Sequence, residues 1–183
     1  MSKLYQDDVF VHLERDIDKL RKKPRMYISH TNELGAKALV MEILINALDE
    51  ARNPKSPADR ITVDFDERSG FIRIVDNGRG IPTSELEVIL TTLNSGSNIN
   101  SDDKSSKGGV VGQNGAGTLA YCALAERLEV TSFRGGTENQ FLKLTFVEGE
   151  KINEERGKCS PDRHGMEILF KPSKVLGKNT HIV

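Results

Sequence analysis

A chain of 183 residues is long enough for one domain that buries roughly 70% of the surface its extended form exposes. Lys and Arg number 26 against 27 Asp and Glu, and this balance argues against a dedicated nucleic-acid binder, whose footprint is strongly basic. No apolar run approaches the ~20 residues of a membrane span and no apolar leader opens the chain, so a cytoplasmic protein is expected, with Cys122 and Cys159 as reduced thiols.

Residues 1–8 are polar apart from Leu4 and Tyr5 and read as an arm. Val9, Leu13, Ile17 and Leu20 predict a helix over Val9 to Arg21, stopped by the basic run and Pro24. Met26-Tyr27-Ile28 is a short apolar anchor, or a simple plug. A helix from Glu33 to Arg52 carries Leu39, Val40, Ile43, Leu44, Ala47, Leu48 and Ala51, and Asn53-Pro54 ends it. Ile61, Val63 and Phe65 alternate as a strand, and a turn at Glu67 to Gly70 leads into a second, Phe71 to Val75. A short helix over about Ser84 to Leu93 is expected, capped by Thr83 or Ser84. Ser95 to Gly109 is too polar to bury itself and is expected to be mobile. Val110 to Leu128 reads as helix, Glu129 to Phe133, Phe141 to Val147 and Met166 to Phe170 as strands, with a polar loop through Arg163. Helices early and strands late predict an α/β (α+β) two-layer sandwich rather than alternating βαβ units, in one domain.

Three blocks carry candidate chemistry. Glu42 and Asn46 lie one helical turn apart, with Asp49 on the same side. A carboxylate there can polarise a water, and a carboxamide oxygen can join water and phosphate oxygens around magnesium, which takes few protein ligands. A solvated helix face is the bland alternative, although Glu42 sits among Leu39, Val40, Met41, Ile43 and Leu44, where an idle charge is costly. Asp76 follows a strand and precedes Asn77-Gly78-Arg79-Gly80-Ile81-Pro82; a carboxylate fixed there can accept from an exocyclic amine, and the glycines leave room for a flat ring. Asp-Asn-Gly is also an ordinary turn, but here the chain runs on into Ile81-Pro82 instead of a matching strand. Arg79 could pair with Glu50 or lie over the ring. Gly112, Gly115 and Gly117 precede a helix and can cradle phosphates, though no Gly-Lys-Ser/Thr follows and a plain flexible loop reads equally well. The four histidines are scattered, with no ligand spacing.

These blocks resemble the GHKL (Bergerat-fold) ATPase superfamily, and within it the N-terminal ATPase domain of the gyrase B and topoisomerase IV B subunits. Arg21 to Ser29 is similar to the segment before the family's first motif, Glu42 to Glu50 to its Glu-x-x-x-Asn-x-x-Asp-Glu helix, Asp76 to Pro82 to its Asp-Asn-Gly-Arg-Gly-Ile-Pro loop, and Gly112 to Gly117 to its second glycine motif. Gly165 with Phe170-Lys171-Pro172 resembles its closing strand. The resemblance implies a mixed, mostly antiparallel sheet with helices on one face, an arm over residues 1–12, an ATPase domain over 13–183 and a lid over about 94–117. It implies ATP and Mg2+ as cofactors, with Glu42 as general base and Asn46 as magnesium ligand. Asp76 would hold the adenine amine; Glu50, Gly78, Arg79, Gly80, Ile81 and Pro82 would shape the base pocket. Gly112, Gln113, Asn114, Gly115, Ala116 and Gly117 would carry the phosphates. Met166 stands where a threonine usually contacts the adenine-side water, and Arg25 and Ser29 stand where the anchor loop usually has glycine. The implied partners are a second copy of the same polypeptide, dimerising with ATP through an arm that includes Tyr5, and the topoisomerase A subunit and double-stranded DNA, through domains beyond this stretch. ATP turnover by the stretch alone is expected to be slow. A phosphotransfer kinase, a MutL-like ATPase or a nucleotide-sensing dimerisation module of the superfamily are the competing expectations.

Overall fold

The computed structural model describes residues 14–54, 57–93 and 117–176. The first helix, α1 (Asp16–Lys22), carries Asp16 and Asp18 in its first turn and Lys19, Arg21 and Lys22 in its last, charges that complement the helix dipole. Its buried side chains are Ile17 and Leu20. The expected helix begins seven residues earlier than the observed one. Residues 9–13 lie outside the described residues, and Arg15 is extended at the N-cap. Pro24 opens a 3-10 turn, Pro24–Met26, in which Arg25 is exposed. Tyr27 and Ile28 pack against the core, whereas Met26 is 72% exposed and takes no part in the anchor.

Helix α2 (Glu33–Ala51) starts where the Asn32 side chain accepts the Leu34 N–H at 3.1 Å, an ordinary N-cap. It buries Ala36, Leu39, Val40, Ile43 and Ala47. Two shorter helices, α3 (Leu86–Thr91) and α4 (Gly117–Ala123), complete the helical layer. The expected cap at Thr83 or Ser84 is replaced by Glu85, without a side-chain bond, because the Thr83 hydroxyl donates instead to Glu138 at 2.7 Å.

Six strands form one sheet: β1 (Ile61–Asp66), β2 (Phe71–Asp76), β3 (Ala125–Arg134), β4 (Gln140–Val147), β5 (Glu150–Lys158) and β6 (His164–Pro172). Their order is β1-β2-β6-β3-β4-β5, and every pairing is antiparallel. Alternation along β2 and β6 sends Ile72, Ile74, Asp76, Met166, Ile168 and Phe170 to the buried side. There the apolar ones join Leu20, Leu39, Ile43, Leu86, Leu90 and Leu119 from the helices in one core. The architecture is the expected sandwich, a sheet with helices on one face. The last strand in sequence lies between β2 and β3, which brings Gly165 and Met166 beside Asp76.

Two expectations fail on the strands. The helix expected through Leu128 ends at Ala123, and Ala125 to Leu128 is already β3. The apolar run is nearly continuous there, so periodicity cannot separate a buried helix from a buried strand; pairing with β4 and β6 on both sides decides. The polar stretch before Arg163 contains β5, an edge strand exposed along almost its whole length. Its charged residues suit a sheet edge that must not recruit another strand. Among the described residues no helix is long and apolar enough to cross a membrane.

Candidate functional site

Helix α2 sets Glu42 and Asn46 beside α4. Glu42 is half-buried and makes no hydrogen bond or ion pair with a described residue. Opposite it is Gly117, where an added Cβ would stand 2.6 Å from Glu42 Oε2. The approach is possible because Gly117 has no side chain. One turn further along both helices, the Tyr121 phenol reaches the Asn46 carboxamide as well as Thr118. Burial pushes the phenol above its ordinary range, which keeps it protonated. Asp49 pairs with Arg52 at 3.6 Å.

The segment after β2 is a tied loop, not a hairpin turn. Asp76 is 7% exposed, and its Oδ1 accepts the Gly78 N–H at 2.8 Å and the Met166 N–H at 3.4 Å. Burial drives its pKa above the usual carboxylate range; the two amides, and His164, pull the other way, and the Glu50 charge adds to the rise. Gly165 (φ +111°) lets β6 pass so close that a Cβ would overlap the Asp76 carbonyl. Gly80 (φ +68°) turns the chain toward Ile81 and Pro82. Arg79 pairs with Glu50: Nη2 lies 3.1 Å from Glu50 Oε1, and Nε 3.2 Å from both carboxylate oxygens.

The structure thus brings together Glu42, Asn46 and Gly117 on one side and Glu50, Asp76, Gly78, Arg79, Gly80, Ile81, Pro82 and Met166 on the other. Gly112, Gln113, Asn114, Gly115 and Ala116 lie outside the described residues. Met166 is buried and contributes its main-chain N–H to Asp76. A hydroxyl stands across from it all the same, because Ser132 is its cross-strand partner on β3.

Sequence reasoning missed the residues that hold the loop from outside. Ser132, fully buried, donates to the Ile81 carbonyl at 2.6 Å and accepts the Ile81 N–H at 2.9 Å. Arg134 Nη1 donates to the carbonyls of Arg79 (2.8 Å) and Gly80 (3.2 Å), and His164 Nδ1 lies 2.8 Å from that of Gly78. Asn77 accepts the N–H groups of Asp59 and Arg60, tying the loop to the start of β1. Ser132, Arg134 and His164 come from strands about 50 to 90 residues downstream, and only the pairing of β6 with β2 and β3 makes them neighbours of the loop. A cavity of about 440 Å3 is lined by Arg60, Thr62, Arg73, Val75, Asp76 and Met166 among others; it reaches the Asp76 end of the site but includes neither Glu42 nor Asn46.

With this geometry in place, comparison with known proteins is decisive. The family described as histidine kinase-, DNA gyrase B- and HSP90-like ATPases matches residues 31–148. The chain belongs to this family. It is 36% identical over 176 residues to the B subunit of DNA topoisomerase 4 from Rickettsia bellii, covering 90% of this chain and 25% of that protein. It is 35% identical over 189 residues to the mitochondrial DNA gyrase B subunit of Arabidopsis thaliana, covering 96% and 24%. The 43K ATPase domain of Thermus thermophilus gyrase B, solved in complex with an aminocoumarin, superposes with a TM-score of 0.70 at 31% identity, over 90% of this chain and 41% of that one. This GHKL domain therefore spans about a quarter of the length of the curated relatives it matches, and it is homologous to the ATPase part of type II topoisomerase B subunits.

Proposed function

We propose that this domain binds ATP between α2 and the loop that follows β2, and hydrolyses it as the ATPase part of a protein like the topoisomerase B subunits. The observation that supports the reading is the Glu50–Arg79 ion pair: Glu50 shares α2 with Glu42 and Asn46, so the pair joins that helix to the loop that begins at Asp76. The Asp76 carboxylate would accept the adenine amine, with Gly78, Arg79, Gly80, Ile81, Pro82 and Met166 around the base. Glu42, half-buried and without a hydrogen bond to a described residue, would take a proton from the attacking water, which approaches the terminal phosphate roughly in line. Gly112 to Gly117 would carry the phosphates, a role that rests on the family resemblance.

Magnesium fits the donor set. Asn46 offers one neutral oxygen, and no group of three His, Cys, Asp or Glu among the described residues forms an all-protein cage. An ion that keeps several waters and shares phosphate oxygens needs no more, and when bound it neutralises phosphate charge. In a full-length protein, ATP-driven dimerisation would be coupled to DNA strand passage with an A subunit. Two free cysteines, Cys122 and Cys159, are compatible with a reducing cytoplasm.

Calorimetry with ATP and Mg2+, paired with a phosphate-release assay, tests the assignment. Glu42→Ala is expected to keep nucleotide affinity within about threefold and to lower turnover by about 10²-fold or more, on the order of a positioned general base. Asp76→Ala is expected to remove binding. Wild-type turnover in Glu42→Ala would take the base role away from it, and failure of folded wild-type protein to bind ATP would end the reading.

A further inference from the structure

Two ladders of one helical turn face each other in this site. On α2, Glu42 precedes Asn46 by four residues; on α4, Gly117 precedes Tyr121 by four. Residues at that spacing share a helix face. Gly117 stands against Glu42, and Tyr121, 3% exposed, stands against Asn46. The first contact needs the absence of a side chain, and the second supplies a buried hydroxyl.

We propose that Tyr121 is a positioning residue for Asn46, its hydroxyl engaging the carboxamide NH2 so that the amide oxygen faces the phosphate-bound cation. This inference rests on the ATP-and-magnesium reading above and adds a residue to it. A carboxamide is ambiguous: either its oxygen or its NH2 can face the ligand, and only the oxygen binds a cation. An asparagine on a helix has no intrinsic reason to prefer one orientation. A phenol whose ring is immobilised in the core supplies that reason when its oxygen accepts from the NH2.

The test is the magnesium dependence of nucleotide binding, measured by calorimetry with ATP in Mg2+ and with ATP in EDTA. Tyr121→Phe keeps the buried ring and removes only the hydroxyl. It is expected to weaken ATP binding in Mg2+ by about five- to tenfold, the size of one neutral hydrogen bond, and to leave binding in EDTA unchanged. Made in an Asn46→Ala background, the same substitution is expected to have no further effect, because the group it positions is gone. Equal losses in Mg2+ and EDTA, or the full loss persisting in the Asn46→Ala background, would overturn the proposal. So would an unaltered magnesium response in Tyr121→Phe. The wild-type protein separates the two levels of inference: if it binds no ATP, the ATP reading fails, whereas wild-type binding with a magnesium response indifferent to Tyr121 removes only the positioning role.

Discussion

Asp76 is held in the folded chain at a cost. Its carboxylate is buried, burial raises its pKa, and Glu50 adds to the rise. Below the ordinary value of 3.8 the group is protonated in both folded and unfolded chains. As pH rises through that value the unfolded chain releases the proton while the folded chain retains it, so native stability falls until the raised native pKa is passed. At neutral pH the ionised group is therefore a net burden, held in place by the Gly78 and Met166 amides. Asp76→Asn keeps an oxygen for those amides and removes the charge. Thermal unfolding at neutral pH without nucleotide should show the variant more stable than the wild type, and the gap should close as pH is lowered toward the usual carboxylate range. Adenine-nucleotide affinity should move the opposite way, by about ten- to hundredfold, the worth of a charge-assisted hydrogen bond. A variant that is destabilised at neutral pH would show that ionised Asp76 is structurally favourable.

At the scale of elements, the decisive contact is between α2 and the start of α4. Gly117→Ala should help the helix, since alanine is favoured over glycine by up to about 1 kcal/mol. Its Cβ, 2.6 Å from Glu42 Oε2, displaces the flexible carboxylate. Denaturant unfolding should place the variant within about 1 kcal/mol of wild type. Phosphate release should nevertheless fall by about 10²-fold, because small misplacements of a reacting group are costly. Unchanged turnover would mean that Glu42 does not work from the observed position. The same contact shows what was legible beforehand. Glu42, Asn46 and the Asp76 to Pro82 loop were readable because each is local: a helical spacing, or a bend that glycine permits. Tyr121, Ser132, Arg134 and His164 were not, because their relevance depends on which strand or helix lies alongside. The α4–β3 boundary was lost for a related reason. Ala123, Leu124 and Ala125 are all fully buried, and a run buried on every side has no period to read.

Over the whole molecule, the sheet order makes the candidate site a closure of the chain on itself. Residues from α2, β2, β3 and β6 meet only because β6 inserts between β2 and β3, so early and late parts of the sequence share one loop. The fold class was legible from the succession of helices and strands. The strand order was not, since antiparallel partners this far apart leave no spacing rule. A ligand that touches all of these elements must stabilise the fold as a unit. At a free nucleotide concentration about 100-fold above Kd the gain is about 2.7 kcal/mol, and for a domain of this size each kcal/mol moves the midpoint by about 2–4 °C. Saturating ATP and Mg2+ should therefore raise the thermal midpoint by about 5–11 °C. Asp76→Ala should show no such shift, and Glu42→Ala, which leaves binding in place, should show nearly all of it. A midpoint that ignores saturating nucleotide, in protein that demonstrably binds it, would mean the ligand contacts a segment that melts apart from the sheet.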